Sequence, residues 1–266
     1  MKTMNCCCSD VEKKSSEKSM AIKKFYNDAA EGIGIYDKDI EKFSPDGPTQ
    51  EIVKNLYKSG KTHILDIGCG MGTTLARIAG EYEDAELMIG IDFSEKMIER
   101  ANERKMSLPD ELKKKVGFFR GDICEIPYMD ETFGFIYVEC VLNLVENRKK
   151  AIDEIKRVLK KGGIFYYTDF VSKVMVPVEI RDDLNLVSGC RAGALTMDAN
   201  IRYLQDAGFS DIEVVDYSYE KEKRYKEILE NSEDIRKQIE HFKKQNPFAA
   251  DFLEKEMGYY VISCTK

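Results

Sequence analysis

The stretch His63 to Gly80, "HILDIGCGMGTTLARIAG", constrains the fold more than any other. It reads as an apolar strand, a glycine turn and an amphipathic helix. The pattern then repeats. Apolar runs at 63–67, 87–91, 116–120, 133–138 and 163–168 predict buried strands. Helical stretches at 73–81, 94–106 and 148–159 lie between them. Continuous apolar runs alternating with helices predict a parallel sheet covered on both faces. A helix is expected at 197–207, ended by Gly208, with strands at 211–217 and 259–264. Upstream, helices are expected from Ser19 to Ala30 and over 49–58. The segment 219–245 carries Tyr225, Ile228, Leu229, Ile235, Ile239 and Phe242 on one helical stripe. That stripe suits a helix packed on the domain, a lid or a dimer contact.

Composition removes several function classes. The 266 residues hold 41 basic and 48 acidic side chains, a net charge of −7. An acidic chain whose longest basic cluster is Lys113 to Lys115 is a poor nucleic-acid binder. No apolar run approaches the roughly 18 residues that cross a bilayer. The start "MKTMNCCCSDVEKK" lacks the apolar core of a signal peptide. A soluble cytoplasmic protein is expected. In the reducing cytosol, eight cysteines suggest catalysis, redox chemistry or soft-ion binding rather than disulfides. There is no CxxC pair and only two histidines, so an ordinary zinc site is not signalled.

The glycine turn, Gly68-Cys69-Gly70-Met71-Gly72, is GxGxG and not the GxGxxG of dinucleotide folds. Asp66, at the carboxyl end of the first strand, would repel a pyrophosphate but suits a positive amino group. Asp92 ends the second strand about twenty residues on, where an acid accepts from ribose hydroxyls. Phe93 and Met97 are placed to flank an adenine. After the third strand, Asp122 can accept from the adenine amino group and Ile123 can cover the ring.

This ordered set resembles class I methyltransferases that use S-adenosyl-L-methionine, over about residues 60 to 217. The resemblance implies a Rossmann-like α/β fold. Its seven-stranded, mostly parallel sheet has helices on both faces, and "GYYVISCTK" would be an inserted antiparallel strand. It implies four segments. Residues 1–19 are a flexible Cys-containing tail, and 20–58 an N-terminal helical cap. Residues 59–218 are the cofactor-binding core, with a substrate wall at 170–196. Residues 219–266 are a helical insertion and last strand. "KKFYNDAAEGIGIY" is similar to the segment that closes over the cofactor, so Tyr26 and Tyr36 are cofactor candidates beside core packing.

A second resemblance is more specific. "CVLNLVENRKKAIDEIKRVLKKGGIFYYTDF" and "VPVEIRDDLNLVSGCRAGAL" are similar to arsenite methyltransferases. It implies that Cys140 and Cys190 ligate As(III) and that arsenite is methylated, with a thiol reductant as co-reactant and detoxification as the role. The chemistry agrees. As(III) is thiophilic, and two thiolates leave its lone pair free to attack a sulfonium methyl in line. Glu139 is a candidate for the cofactor's amino end; Asn143 and Arg191 have no assigned role. "NCCCSD" resembles the family's Cys-rich stretch, making Cys6, Cys7 and Cys8 candidates for a resolving or third thiol. The chain departs from the family in having no cysteine over residues 24 to 60. Cys69, Cys124 and Cys264 read as structural. The other readings are a methyltransferase for another small molecule and a non-catalytic metalloid binder. The sequence leaves the oligomeric state open.

Overall fold

A computed structural model describes residues 16–32, 47–186 and 189–266. Cys6, Cys7, Cys8 and Tyr36 lie outside these residues. The described chain opens with α1 (Glu17–Ala30) and α2 (Pro48–Ser59). Then come β1 (His63–Ile67), α3 (Thr73–Glu81), β2 (Leu87–Asp92), α4 (Glu95–Met106), α5 (Asp110–Lys115) and β3 (Val116–Arg120). After these follow β4 (Phe133–Glu139), a 3-10 turn (Leu142–Leu144), α6 (Arg148–Val158), β5 (Leu159–Ser172), α7 (Val178–Arg181), α8 (Met197–Asp206) and β6 (Ser210–Asp216). The chain ends with α9 (Ser218–Asn231), α10 (Glu233–Gln245), α11 (Pro247–Lys255) and β7 (Met257–Thr265).

The seven strands form one sheet in the order β3-β2-β1-β4-β5-β7-β6. β7 pairs antiparallel with both β5 and β6, and the other pairs are parallel. Side chains alternate between the faces, as strand geometry requires. Leu65, Ile67, Ile89, Ile91, Ile136 and Val138 enter one apolar cluster, covered by Ile152, Ile155 and Val158 of α6 and Leu204 of α8. Ile64, Met88, Phe135 and Tyr137 enter the other, covered by Ile52 and Leu56 of α2 and Leu75 and Ile78 of α3. Burying both faces is what makes these strands read as unbroken apolar runs. The chain leaves β1 in one direction for β2 and β3 and in the other for β4. The resulting crevice at the strands' carboxyl ends is where open α/β sheets bind ligands.

Four expectations need amendment. Among the described residues of 20–58, α1 and α2 do not form one cap. α2 is part of the core, with Ile52, Val53 and Leu56 fully buried, whereas α1 packs separately on α4. β5 is longer than 163–168 because β7 pairs with it out to Ser172. The 219–245 segment is two helices rather than one. The break falls at Ser232, whose side chain accepts from the Ile235 N–H and so caps α10. The charged composition also hid α11, although Pro247 at its first turn marks the start. The apolar stripe is half-buried along its length, and Phe242 packs on a third cluster beneath the wall.

Candidate functional site

β1 delivers the chain into the glycine turn. Gly68, Gly70 and Gly72 all have positive φ, the region that L side chains disfavour. At Gly68 a Cβ would also lie 2.2 Å from Val141 Cγ2. The Gly68 and Cys69 N–H groups donate to the Ile91 carbonyl, which fixes the turn to β2. Cys69 is buried, its sulfur packing in the core and donating to the Gly70 carbonyl at 3.7 Å.

Asp92 stands half-buried at the end of β2. It accepts from the Gly70 N–H at 2.9 Å and the Ser94 N–H at 2.8 Å. Phe93 beside it is half-buried, with the Lys23 ammonium 5.6 Å from its ring. Met97 is fully buried against Ala29 and Ala30, so α1 lies over it. Asp122 is half-buried and accepts from the Cys124 N–H at 2.8 Å, and Ile123 is buried next to it. Asp66 is buried and accepts from the Tyr137 hydroxyl at 2.9 Å. Glu139, where β4 ends, accepts from the hydroxyls of Thr49 on α2 and Thr74 on α3. Burial and the two carboxylates, Asp66 and Glu139, push the Tyr137 phenol far up, so it remains a donor. The floor of the crevice is therefore acidic.

The two flagged thiols meet. Cys140 follows β4 with φ +57, and Cys190 lies in the wall with φ +59. Left-handed backbone at a non-glycine residue costs about 1–3 kcal/mol and gathers at functional sites. The Cys140 N–H donates to the Thr168 carbonyl of β5. The Cys190 thiol donates to the Cys140 carbonyl at 3.0 Å. The two sulfurs are also in hydrogen-bonding contact, which with burial raises the Cys190 thiol well above its ordinary range. The Cys190 thiol is therefore protonated at neutral pH.

Their surroundings contain groups the sequence did not single out. The Tyr259 hydroxyl, on β7, lies 3.0 Å from the Cys140 sulfur and donates to Thr168 Oγ1 at 2.9 Å. Asp169, next along β5, is buried and accepts from the Asn143 N–H, the Asn143 Nδ2 and the Phe170 N–H. Burial and the Cys140 thiol raise its pKa, while Arg148 and the backbone donors act against that rise. Arg148 is buried too. Its guanidinium donates to Asn200 Oδ1, Asn143 Oδ1 and the Leu142 and Gly193 carbonyls, joining α6 and α8 to the wall. The available signals were the acid at a strand's carboxyl end and the basic residue opening a helix. Neither is distinctive alone.

Tyr26, a cofactor candidate, also meets the thiols. Its hydroxyl lies 3.6 Å from the Cys190 sulfur, so α1 touches the thiol site. Cys264 is buried in β7. Cys124 is half-buried, its thiol raised to about 11 chiefly by desolvation. Among the described residues, no group of three His, Cys, Asp or Glu side chains could hold a metal ion, and no helix is long and apolar enough to cross a membrane.

Residues 58–240 match a methyltransferase domain family. The chain belongs to that family. It is a class I methyltransferase by fold and by domain. Such domains draw their methyl group from S-adenosylmethionine. The crevice fits that cofactor, with a turn of three glycines at positive φ, an acid ending β2 and an acidic floor for an amine. The chain is 32% identical over 151 residues to an arsenite methyltransferase of Halobacterium salinarum, covering 57% of this chain and 38% of that one. It thus spans well under half of that relative's length. It is 28% identical over 213 residues to the 27-O-demethylrifamycin SV methyltransferase of Amycolatopsis mediterranei, covering 76% of each. It shares its fold with an arsenic (III) S-adenosylmethionine methyltransferase of Chlamydomonas reinhardtii. There the TM-score is 0.57 and the identity 20%, covering 84% of this chain and 74% of that one.

Proposed function

We propose that this methyltransferase acts on As(III) held by Cys140 and Cys190. The observation that carries the reading is the contact of the two thiols at the carboxyl end of the sheet, each on left-handed backbone. The likeness to an arsenite methyltransferase supports it. Bound S-adenosylmethionine supplies a methyl group on a cationic sulfur. The protein's own residues do the rest. Arsenous acid condenses with the two thiols. Two S–H and two As–O bonds break, two As–S bonds form, and two waters leave. The thiol protons leave with the waters, so no strong base is needed and a Cys190 thiol protonated at rest is compatible with capture. Tyr259 and the Cys140 carbonyl orient the sulfurs. Asp66 and Glu139 place negative charge at the crevice floor, and Asp92 the acceptor for a ribose.

The test is release of S-adenosylhomocysteine with and without arsenite. Turnover should depend on arsenite and vanish in Cys140→Ser and Cys190→Ser, with cofactor affinity retained. A second reading is favoured by the longer match to a rifamycin-class methyltransferase. In it the acceptor is another small molecule and the cysteines only pack. Turnover independent of arsenite and intact in both serine variants would support that second reading.

A further inference from the structure

Beside the thiols lies a pair of cations that no acid side chain balances among the described residues. Arg191 follows Cys190, and its guanidinium lies 4.5 Å from the centre of the Phe170 ring. The Lys221 ammonium, from α9, lies 4.5 Å from the centre of the Tyr259 ring and 5.6 Å from that of Phe170. Phe170 and Tyr259 meet edge to face at 5.0 Å. Tyr259 in turn touches the Cys140 sulfur. Among the described residues, neither cation forms an ion pair or a side-chain hydrogen bond. Asp169, the acid flanking Phe170, directs its oxygens to the N–H groups of Asn143 and Phe170.

Arg191 is largely desolvated, which lowers its pKa, and both thiols and Tyr225 of α9 are its electrostatic neighbours. A guanidinium stays protonated even so. Arg191 is half-buried, and a cation taken partly out of water is costly unless something pairs with it. Arg148, on α6 behind the wall, shows the alternative, its donors committed to neutral oxygens. Arg191 has no such acceptors. Its fork suits a carboxylate or similar oxyanion, and the aromatic pair offers an apolar surface beside it.

We infer that Arg191 and Lys221 form an anion subsite, so that the preferred acceptor carries a carboxylate-like group on an apolar or aromatic body next to the atom held by Cys140 and Cys190. This deepens the two-thiol reading and rests on it. α9 thereby becomes a specificity element, closing the wall with a charge rather than with its apolar stripe.

The probes are phenylarsine oxide, which is neutral, and its para-carboxylate. Both present As(III) to a thiol pair. Binding is measured by calorimetry on the full chain, without cofactor. The carboxylate is expected to bind about tenfold more tightly, the scale of one charge-assisted contact. Arg191→Gln should erase the preference and leave the phenylarsine oxide affinity unchanged, which also shows that the variant is folded. Lys221→Gln, on the half-buried helix, should reduce the preference. Equal binding of the two probes by the wild-type protein would overturn the subsite, as would a preference that survives in the Arg191→Gln, Lys221→Gln double variant. In both cases thiol-dependent binding would leave the two-thiol reading standing. Failure of both probes to bind would overturn that reading and the subsite with it.

Discussion

Cys140 and Cys190 are fifty positions apart in the chain and in contact in the fold. Burial and mutual hydrogen bonding hold Cys190 well above the ordinary thiol value of 9.0. Its proton is therefore retained through neutral pH, and reactivity rises only as pH climbs beyond that value. Alkylation by iodoacetamide, followed by mass spectrometry, should leave Cys190 slow at pH 8 while the unfolded chain reacts quickly. Fast alkylation in the folded protein would contradict this. Asp169 is the second test at this scale. Three N–H donors converge on its oxygens. Asp169→Asn turns one acceptor into a donor facing donors, at about 1–3 kcal/mol. For a domain of this size that lowers the melting temperature by roughly 2–12 °C, each kcal/mol shifting it about 2–4 °C. Cys140 was visible as a cysteine at a strand end, and its pairing with Cys190 came from the resemblance of the flanking segments to arsenite methyltransferases. Asp169, Arg148 and Tyr259 were not visible. Their roles come from partners on other elements, and nothing in their own neighbourhoods marks those partners.

At the scale of elements, the site depends on how closely the wall approaches the turn after β4. A Cβ on Gly193 would lie 1.9 Å from the Asn143 carbonyl oxygen. Gly193→Ala must therefore push the wall outward, at about 1–3 kcal/mol. Because the Arg148 bonds to Asn143 and Gly193 tie the wall down, the displacement should separate Cys190 from Cys140. Arsenite affinity is expected to fall at least tenfold while S-adenosylmethionine affinity changes little, read by calorimetry with each ligand. Equal loss of both would mean that the wall and the cofactor crevice are one unit. The strands and helices of the core were legible because both sheet faces are buried and the apolar runs follow from that. α2 was misplaced because a short amphipathic helix looks the same whether it covers a sheet or caps it. Only the fully buried Ile52, Val53 and Leu56 decide the matter.

In the whole molecule, the sheet brings two chemistries together at one edge. Asp92 and the glycine turn lie on the β1–β2 side, and the thiols on the β4–β5 side. α1 bridges them. The Asn27 Oδ1 accepts from the Ser94 hydroxyl beside Asp92, and Tyr26 reaches Cys190. Tyr26→Phe is therefore expected to loosen α1, increasing amide exchange in residues 17–30 with the exchange of β1 unaltered. Unchanged exchange in α1 would show that the helix is held by its packing on α4 alone. The order of the cofactor motifs was readable because each sits at a strand's carboxyl end, where sequence and topology coincide. The joining of α1 to the thiols was not readable, since it spans 164 positions and a single hydrogen bond. The central claim is that the methyl group goes to arsenic held by two thiols. Its most direct test is arsenic speciation after incubating the purified protein with S-adenosylmethionine, arsenite and a thiol reductant. Methylated arsenic from the wild-type protein, and none from Cys140→Ser or Cys190→Ser, is the predicted result. Methylated arsenic from either serine variant at the wild-type rate, or none from a wild-type protein that binds the cofactor, would contradict it.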